Sequence, residues 1–192
     1  MNDPRPLEKE PLLYQAIGLL QGKLNHLDDG SHQLECSDST FAVRVKKCKL
    51  RVWLETHPDK REGIWSVYPR QQNGVLSVEL VSFIRQPWNQ VDYFKISGRV
   101  VRQDPEGGKI IVSIRQNNVP PGKSSRFESF KLELLGHVPG KVGGEIWQFD
   151  CVRSGHQLEI LDGTRIAKRL DVNLKLKTAP QAGPADVSPP VD

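Results

Sequence analysis

The chain has 192 residues, 37% of them apolar and 26% charged, with a formal net charge of +4. That suits one large domain or two small ones with a modest core, and a pI near 9.0 permits a polyanion partner without demanding one. No apolar run nears the roughly 18 residues that span a bilayer, and the opening "MNDPRPLEKEP" lacks the basic-then-apolar order of an export signal, so a cytoplasmic protein with no membrane partner is expected.

In chain order, "EKEPLLYQAIGLL" (Glu8 to Leu20) accommodates a short N-terminal helix that packs Leu12, Leu13, Ala16 and Ile17 against the strands beyond it. "LLQGKL" (Leu19 to Leu24) reads as a first strand. Its Gly22 marks a sharp bend or a close approach of backbone. A turn at "DDG" (Asp28 to Gly30) comes next. "FAVRVKKCKLRVWLE" (Phe41 to Glu55) then reads as a long third strand: Phe41, Val43 and Val45 share one parity, while Cys48, Leu50, Val52 and Leu54 share the other. The change of parity near Lys46 and Lys47 reads as a bulge or tight turn. "ETHPDKREG" is short and rich in breakers, which leaves room for a vestigial helix at most. In "IWSVYPR" Trp65 and Val67 alternate with Ser66, Tyr68 and Arg70, and "LSVEL" (Leu76 to Leu80) alternates again. "RQPWNQ" (Arg85 to Gln90), marked by Pro87, reads as a linker.

Beyond the linker the pattern recurs. "KISGRV" (Lys95 to Val100) answers "LLQGKL", "DPEGG" (Asp104 to Gly108) answers "DDG", "KLELLGH" (Lys131 to His137) answers "LRVWLETH" (Leu50 to His57), and "QLEIL" (Gln157 to Leu161) answers "LSVEL". "HPDKREGIWSVYPR" and "HVPGKVGGEIWQFDCVR" complete the series, each carrying an Ile-Trp pair after a Pro/Gly-rich turn. The spacing predicts two copies of one domain, at 12–86 and 91–170, followed by a disordered proline-rich tail at 171–192. Such an acid-bearing tail either docks a partner or has no role.

The dominant period of two belongs to antiparallel sheet with one wet face. About five short, bent strands per copy fit a small closed barrel. The mid-strand glycine, the hairpin, the long third strand and the late "G…W-x-V" and "L-x-I/L" pair resemble the oligonucleotide/oligosaccharide-binding (OB) fold, in tandem, over about residues 15 to 168. SH3-like barrels also have five strands; a helix between the third and fourth strands would favour OB. The fold class expected is therefore all-β, with two tandem five-stranded antiparallel OB-like barrels.

No phosphate-loop, HExxH or GxSxG pattern is present, so the expectation is a non-enzymatic protein with no cofactor. "PEGGK" (Pro105 to Lys109) lies between strands and reads as a hairpin turn. Cys36, Cys48 and Cys151 form no CxxC pair and read as small, buried, apolar-like side chains. The five histidines lack ligand spacing, and no metal site is expected. His57 and His137, matched between the copies, read as hydrogen-bonded residues at strand ends.

Binding is better supported. On the third strand Arg44, Lys46, Lys49 and Arg51 point outward with Trp53, and Tyr68 and Arg70 repeat the combination next door. Cations for phosphates beside exposed rings for bases are what single-stranded nucleic acid requires. The second copy offers Arg99, Arg102, Arg115, Lys131 and Arg153 outward, diluted by Glu133 and Glu159. Its loop "QNNVPPGKSSRFESF" (Gln116 to Phe130) adds Lys123, Arg126 and Phe127, since OB loops often close over a ligand. Trp65 and Trp147 fall on core positions. The resemblance implies single-stranded DNA or RNA binding with little sequence preference. A protein-interaction or assembly module built from two packed barrels is the competing reading.

Overall fold

The computed structural model describes residues 13–58, 60–84, 90–117 and 128–168. In its first half β1 spans Gln15–His26, β2 His32–Glu35, β3 Thr40–Arg44, α1 Cys48–Thr56, β4 Glu62–Gln72 and β5 Val75–Ile84. Pairings of β1 with β2, β2 with β3, β3 with β5, β5 with β4 and β4 with β1 close these strands into a ring. The second half repeats that order with β6 (Tyr93–Asp104), β7 (Lys109–Ile114), β8 (Phe130–Leu135), β9 (Ile146–Ser154) and β10 (Gln157–Ala167). The all-β reading holds, and the two rings carry it. One detail differs from expectation. β3–β5 and β8–β10 are parallel pairs, so neither ring is wholly antiparallel. When successive strands alternate in direction, the third and the fifth run the same way and can meet only in parallel.

Each ring turns on one glycine. A Cβ at Gly22 would sit 2.5 Å from the Glu35 carbonyl oxygen, and one at Gly98 would sit 2.6 Å from that of Ser113. β1 leaves β4 for β2 just beyond Gly22, so the strand crosses its neighbour where only hydrogen fits. The close backbone approach expected from the sequence is there.

Two secondary-structure expectations are corrected. Of the helix expected over Glu8 to Leu20, Gln15–Leu20 belongs to β1, Leu13 and Tyr14 form a bend before it, and 8–12 lies outside the described residues. Ala16 and Leu20 are buried on alternate positions, and the outer edge of this segment pairs with β6, which a helix could not do. The long third strand is likewise absent. β3 ends at Arg44, and "CKLRVWLET" forms α1, with Leu50 and Leu54 buried one helical turn apart. Val52 lies between them and is 51% exposed, so the period is 3.6 and not 2. A helix between the third and fourth strands distinguishes this barrel from an SH3-like one. The match of "LRVWLETH" to "KLELLGH" fails for the same reason, because the second segment is β8 and its continuation.

Strand register corrects another match. Leu20 in β1 faces Trp65, and Ile96 in β6 faces Phe149, while Gly22 and Gly98 face Gly63 and Trp147 respectively. Phe149 is therefore the counterpart of Trp65. Both are fully buried, and the Trp65 indole donates to the Gly22 carbonyl at 3.2 Å. Trp147 lies two residues off, half-buried, with its indole on Glu145.

The rings are fused edge to edge. The first half of β1 pairs antiparallel with the first half of β6, and Gly18 lies directly opposite Phe94. A side chain at Gly18 would land on the Phe94 ring. A second contact is ionic. The Arg153 side chain, 2% exposed, bonds Asp38 at 2.6 Å and Asp92 at 2.8 Å, and also reaches the Ser39 hydroxyl at 2.8 Å. It stands 5.3 Å over the Phe41 ring, and His156 packs on that ring from the β9–β10 turn. Arg153 is therefore no outward-facing cation but a clamp between the β2–β3 turn and β9. Of the expected linker, Arg85 to Gln90, residues 85–89 lie outside the described residues, as does the tail at 171–192.

Candidate nucleic-acid interface

Where the two rings meet, their outer faces carry opposite elements of one surface. Arg44 ends β3, exposed, and β3 pairs with β5 so that Arg44 stands beside Glu79. Glu79 takes an ion pair from Lys46 at 3.0 Å and one from Arg70 of β4 at 3.3 Å. Tyr68 pairs with Glu79 across β4 and β5, so tyrosine, arginine and carboxylate share this outer face. The Arg70 guanidinium lies 4.1 Å over the ring of Phe130, the first residue of β8. Burial pulls Arg70 below the usual guanidinium pKa against the charge of Glu79, but an arginine remains a cation throughout the physiological range. Next to it the Gln71 amide bonds the backbone of Glu133 twice, at 3.3 and 2.6 Å.

The surface continues on the second ring. Arg99, Ser113 and Lys131 stand side by side across β6, β7 and β8, and Arg102, Ile111 and Glu133 form the next row. Lys109 is tied to Glu133 at 2.8 Å. Arg115 follows β7 and is exposed. Among the described residues Arg44, Arg102, Arg115 and Lys131 make no ion pair. Arg99 contributes a buried Nε with no hydrogen-bond partner among the described residues.

The structure thus brings together Arg44, Lys46, Tyr68 and Arg70, with Arg115 farther along, and separates them from three other residues expected on the same strand. Lys49, Arg51 and Trp53 sit on α1. Trp53 is no exposed platform: its ring stacks on His57 at 4.8 Å and on Phe83 at 5.4 Å, edge-on to Trp65. Arg51 donates to the Val45 carbonyl at 3.1 Å and lines a separate hollow beside His26 and His32. Lys123, Arg126 and Phe127 lie outside the described residues. Lys109 joins the face although no sequence pattern marks it for binding, and Phe130, packed against the core, lies under Arg70. The one signal for Phe130 is its position, where a long polar stretch of the sequence ends and β8 begins.

The other chemistry-bearing residues are quieter. His57 bonds the Trp53 carbonyl at 3.0 Å, closing a helix end where a strand end was expected, and His137 is exposed in a loop. Burial pushes the Cys151 thiol up to about 12 and that of Cys36 up to about 11, away from thiolate reactivity. Cys48, expected to be buried, is exposed at the start of α1, where its side chain leaves the barrel. Among the described residues no cluster of three or more His, Cys, Asp or Glu could hold a metal ion. No helix among them is long and apolar enough to cross a membrane.

This geometry agrees with one comparison. Residues 96–167 match the model of a family described as a cyanobacterial OB-fold-like RNA-binding domain, C-terminal. The match covers the second ring from within β6 to the last residue of β10. With this match and the closed five-stranded rings, the chain resembles the OB fold. The family's description points to nucleic-acid binding, and to a binding role before a catalytic one. A comparison with curated protein sequences found no match.

Proposed function

We propose that the chain binds single-stranded RNA, without catalysis, on the face shared by the two barrels. The observation that carries this is the match of the second barrel to an RNA-binding family, because that barrel supplies half of the cationic surface. Phosphates would follow Arg44, Lys46, Lys131, Arg102 and Arg115, with Tyr68 offering ring surface beside Arg70. Little of this face can read base edges, so sequence preference is weak and affinity depends strongly on salt. Single-stranded DNA would be accepted on the same phosphates, with RNA favoured only where a 2′-hydroxyl meets a polar side chain.

The test is a charge reversal on each barrel, Arg44→Glu and Lys131→Glu, assayed with a labelled single-stranded oligoribonucleotide. Each substitution should weaken binding by about tenfold, and both together by more. Unchanged affinity in the double variant would place the RNA elsewhere. Trp53→Ala should leave binding intact while lowering stability, because Trp53 packs against the core.

A further inference from the structure

A second concentration of cations lies away from this face, at the end of the first barrel. The β1–β2 turn there faces α1. Four basic side chains, His26, His32, Arg51 and Arg61, line a hollow of about 560 Å³ whose floor is Val43, Val45 and Leu54. We propose that this hollow binds a phosphomonoester group, and the proposal does not depend on the RNA reading.

His26 and His32 are cross-strand partners at the mouth of the turn, with ring centroids 4.7 Å apart. Arg51 comes from α1 and Arg61 from the residue just before β4, so the β1–β2 hairpin, α1 and the entry to β4 converge on one space. Arg51 commits one nitrogen to the Val45 carbonyl and keeps its other donors. Among the described residues, His26, His32, Arg51 and Arg61 form no ion pair.

The acids nearby do not balance them. Glu55 is the carboxylate that lines the hollow. Asp29, on the turn, is bonded by the Ser31 amide at 2.9 Å and so is held in the turn. Lys23 and Glu62 flank an adjoining recess, which shares His26 and Arg61. Two guanidinium forks with two imidazoles suit a tetrahedral dianion, since each fork can offer paired donors to its oxygens. The volume exceeds what inorganic phosphate fills and lies in the range of organic ligand sites. The phosphate is therefore carried on a larger body, either a small phosphorylated metabolite or the end of an RNA strand.

His32 is held below the usual histidine pKa by burial and by His26, Arg61 and Arg51 around it. An anion arriving between them reverses the repulsion and favours protonated rings, so binding takes up protons. Sulfate, a dianion over the whole useful range, is the probe that separates protonation of the protein from that of the ligand.

The experiment follows the imidazole proton resonances of the intact chain during sulfate addition at constant ionic strength, with chloride as control. Saturable shifts confined to His26 and His32 are expected, with tighter binding as the pH falls from about 8 to about 5.5. Arg61→Gln should weaken sulfate by about tenfold without moving His137 or His156. Shifts that chloride reproduces, or that spread over all five histidines, would overturn the proposal. A second arm compares 5′-phosphorylated and 5′-hydroxyl oligoribonucleotides with a nucleoside monophosphate. A preference for the phosphorylated end assigns the source to RNA, and an equal response to the monophosphate assigns it to a small metabolite. No difference between phosphorylated and hydroxyl forms, with no response to the monophosphate, would also overturn it.

Discussion

At the scale of single residues the fold depends on places where a group has nowhere else to go. Arg153 is the clearest. Burial disfavours its charge, yet its bonds to Asp92 and Asp38 outweigh that and raise its pKa. Arg153→Met should cost about 2–3 kcal/mol in urea denaturation, below the cost of breaking a fully buried pair because both carboxylates still reach solvent. The arginine, with Ser39, holds the Asp38 carboxyl below its ordinary 3.8. A depressed acid contributes stability that is complete above its unfolded pKa and disappears as pH falls through the folded one. The stability difference between wild type and Arg153→Met should therefore hold at neutral pH and shrink below 3.8; a constant difference down to lower pH would mean that Asp38 adds nothing. Gly22 and Gly98 act through space. Gly22→Ala or Gly98→Ala forces a methyl group against a backbone carbonyl and should destabilise by about 2–4 kcal/mol, whereas Gly143→Ala, with nothing within 4 Å, should be nearly neutral.

At the scale of elements, legibility tracks the clarity of the period. β5 alternates clearly from Val75 to Leu80, and buried Ile110, Val112 and Ile114 of β7 fall where alternation puts them. The Gly22 and Gly98 bends are visible because glycine in a strand has few other uses. α1 is not visible. Leu50, Val52 and Leu54 fit a strand as well as a helix, and only the exposure of Val52 decides between them. Its N-terminus carries no capping signal either: Lys47 makes no side-chain cap, and the first turn holds no acid. Lys47→Ser should supply that cap and raise stability by about 0.5–1 kcal/mol in thermal or urea melts. The candidate site is partly legible. Arg44, Tyr68 and Arg70 are recognisable as outward positions on strands, whereas Phe130 reaches them only through the packing of β8 on β4. The His26–His32 pair is hidden because metal-ligand spacing is blind to a hairpin, and it is the hairpin that makes these histidines cross-strand neighbours.

At the scale of the molecule the two barrels act as one body. They share a continuous sheet through β1 and β6, the Arg153 clamp and the Arg70–Phe130 stack. That coupling makes a face spanning both barrels a surface of fixed shape, with cations supplied from either side. Such a surface binds by releasing counterions, at a slope near 0.7 per phosphate contacted on a single strand. The most direct measurement is fluorescence anisotropy of labelled single-stranded RNA, single-stranded DNA and duplex RNA across a salt series, with wild type and the Arg44→Glu/Lys131→Glu variant. Preference for single strands, a log-linear fall with salt, and a slope shallower in the variant by about one to two contacts are expected. No binding of any single strand at low salt, where attraction is strongest, would contradict the proposed binding.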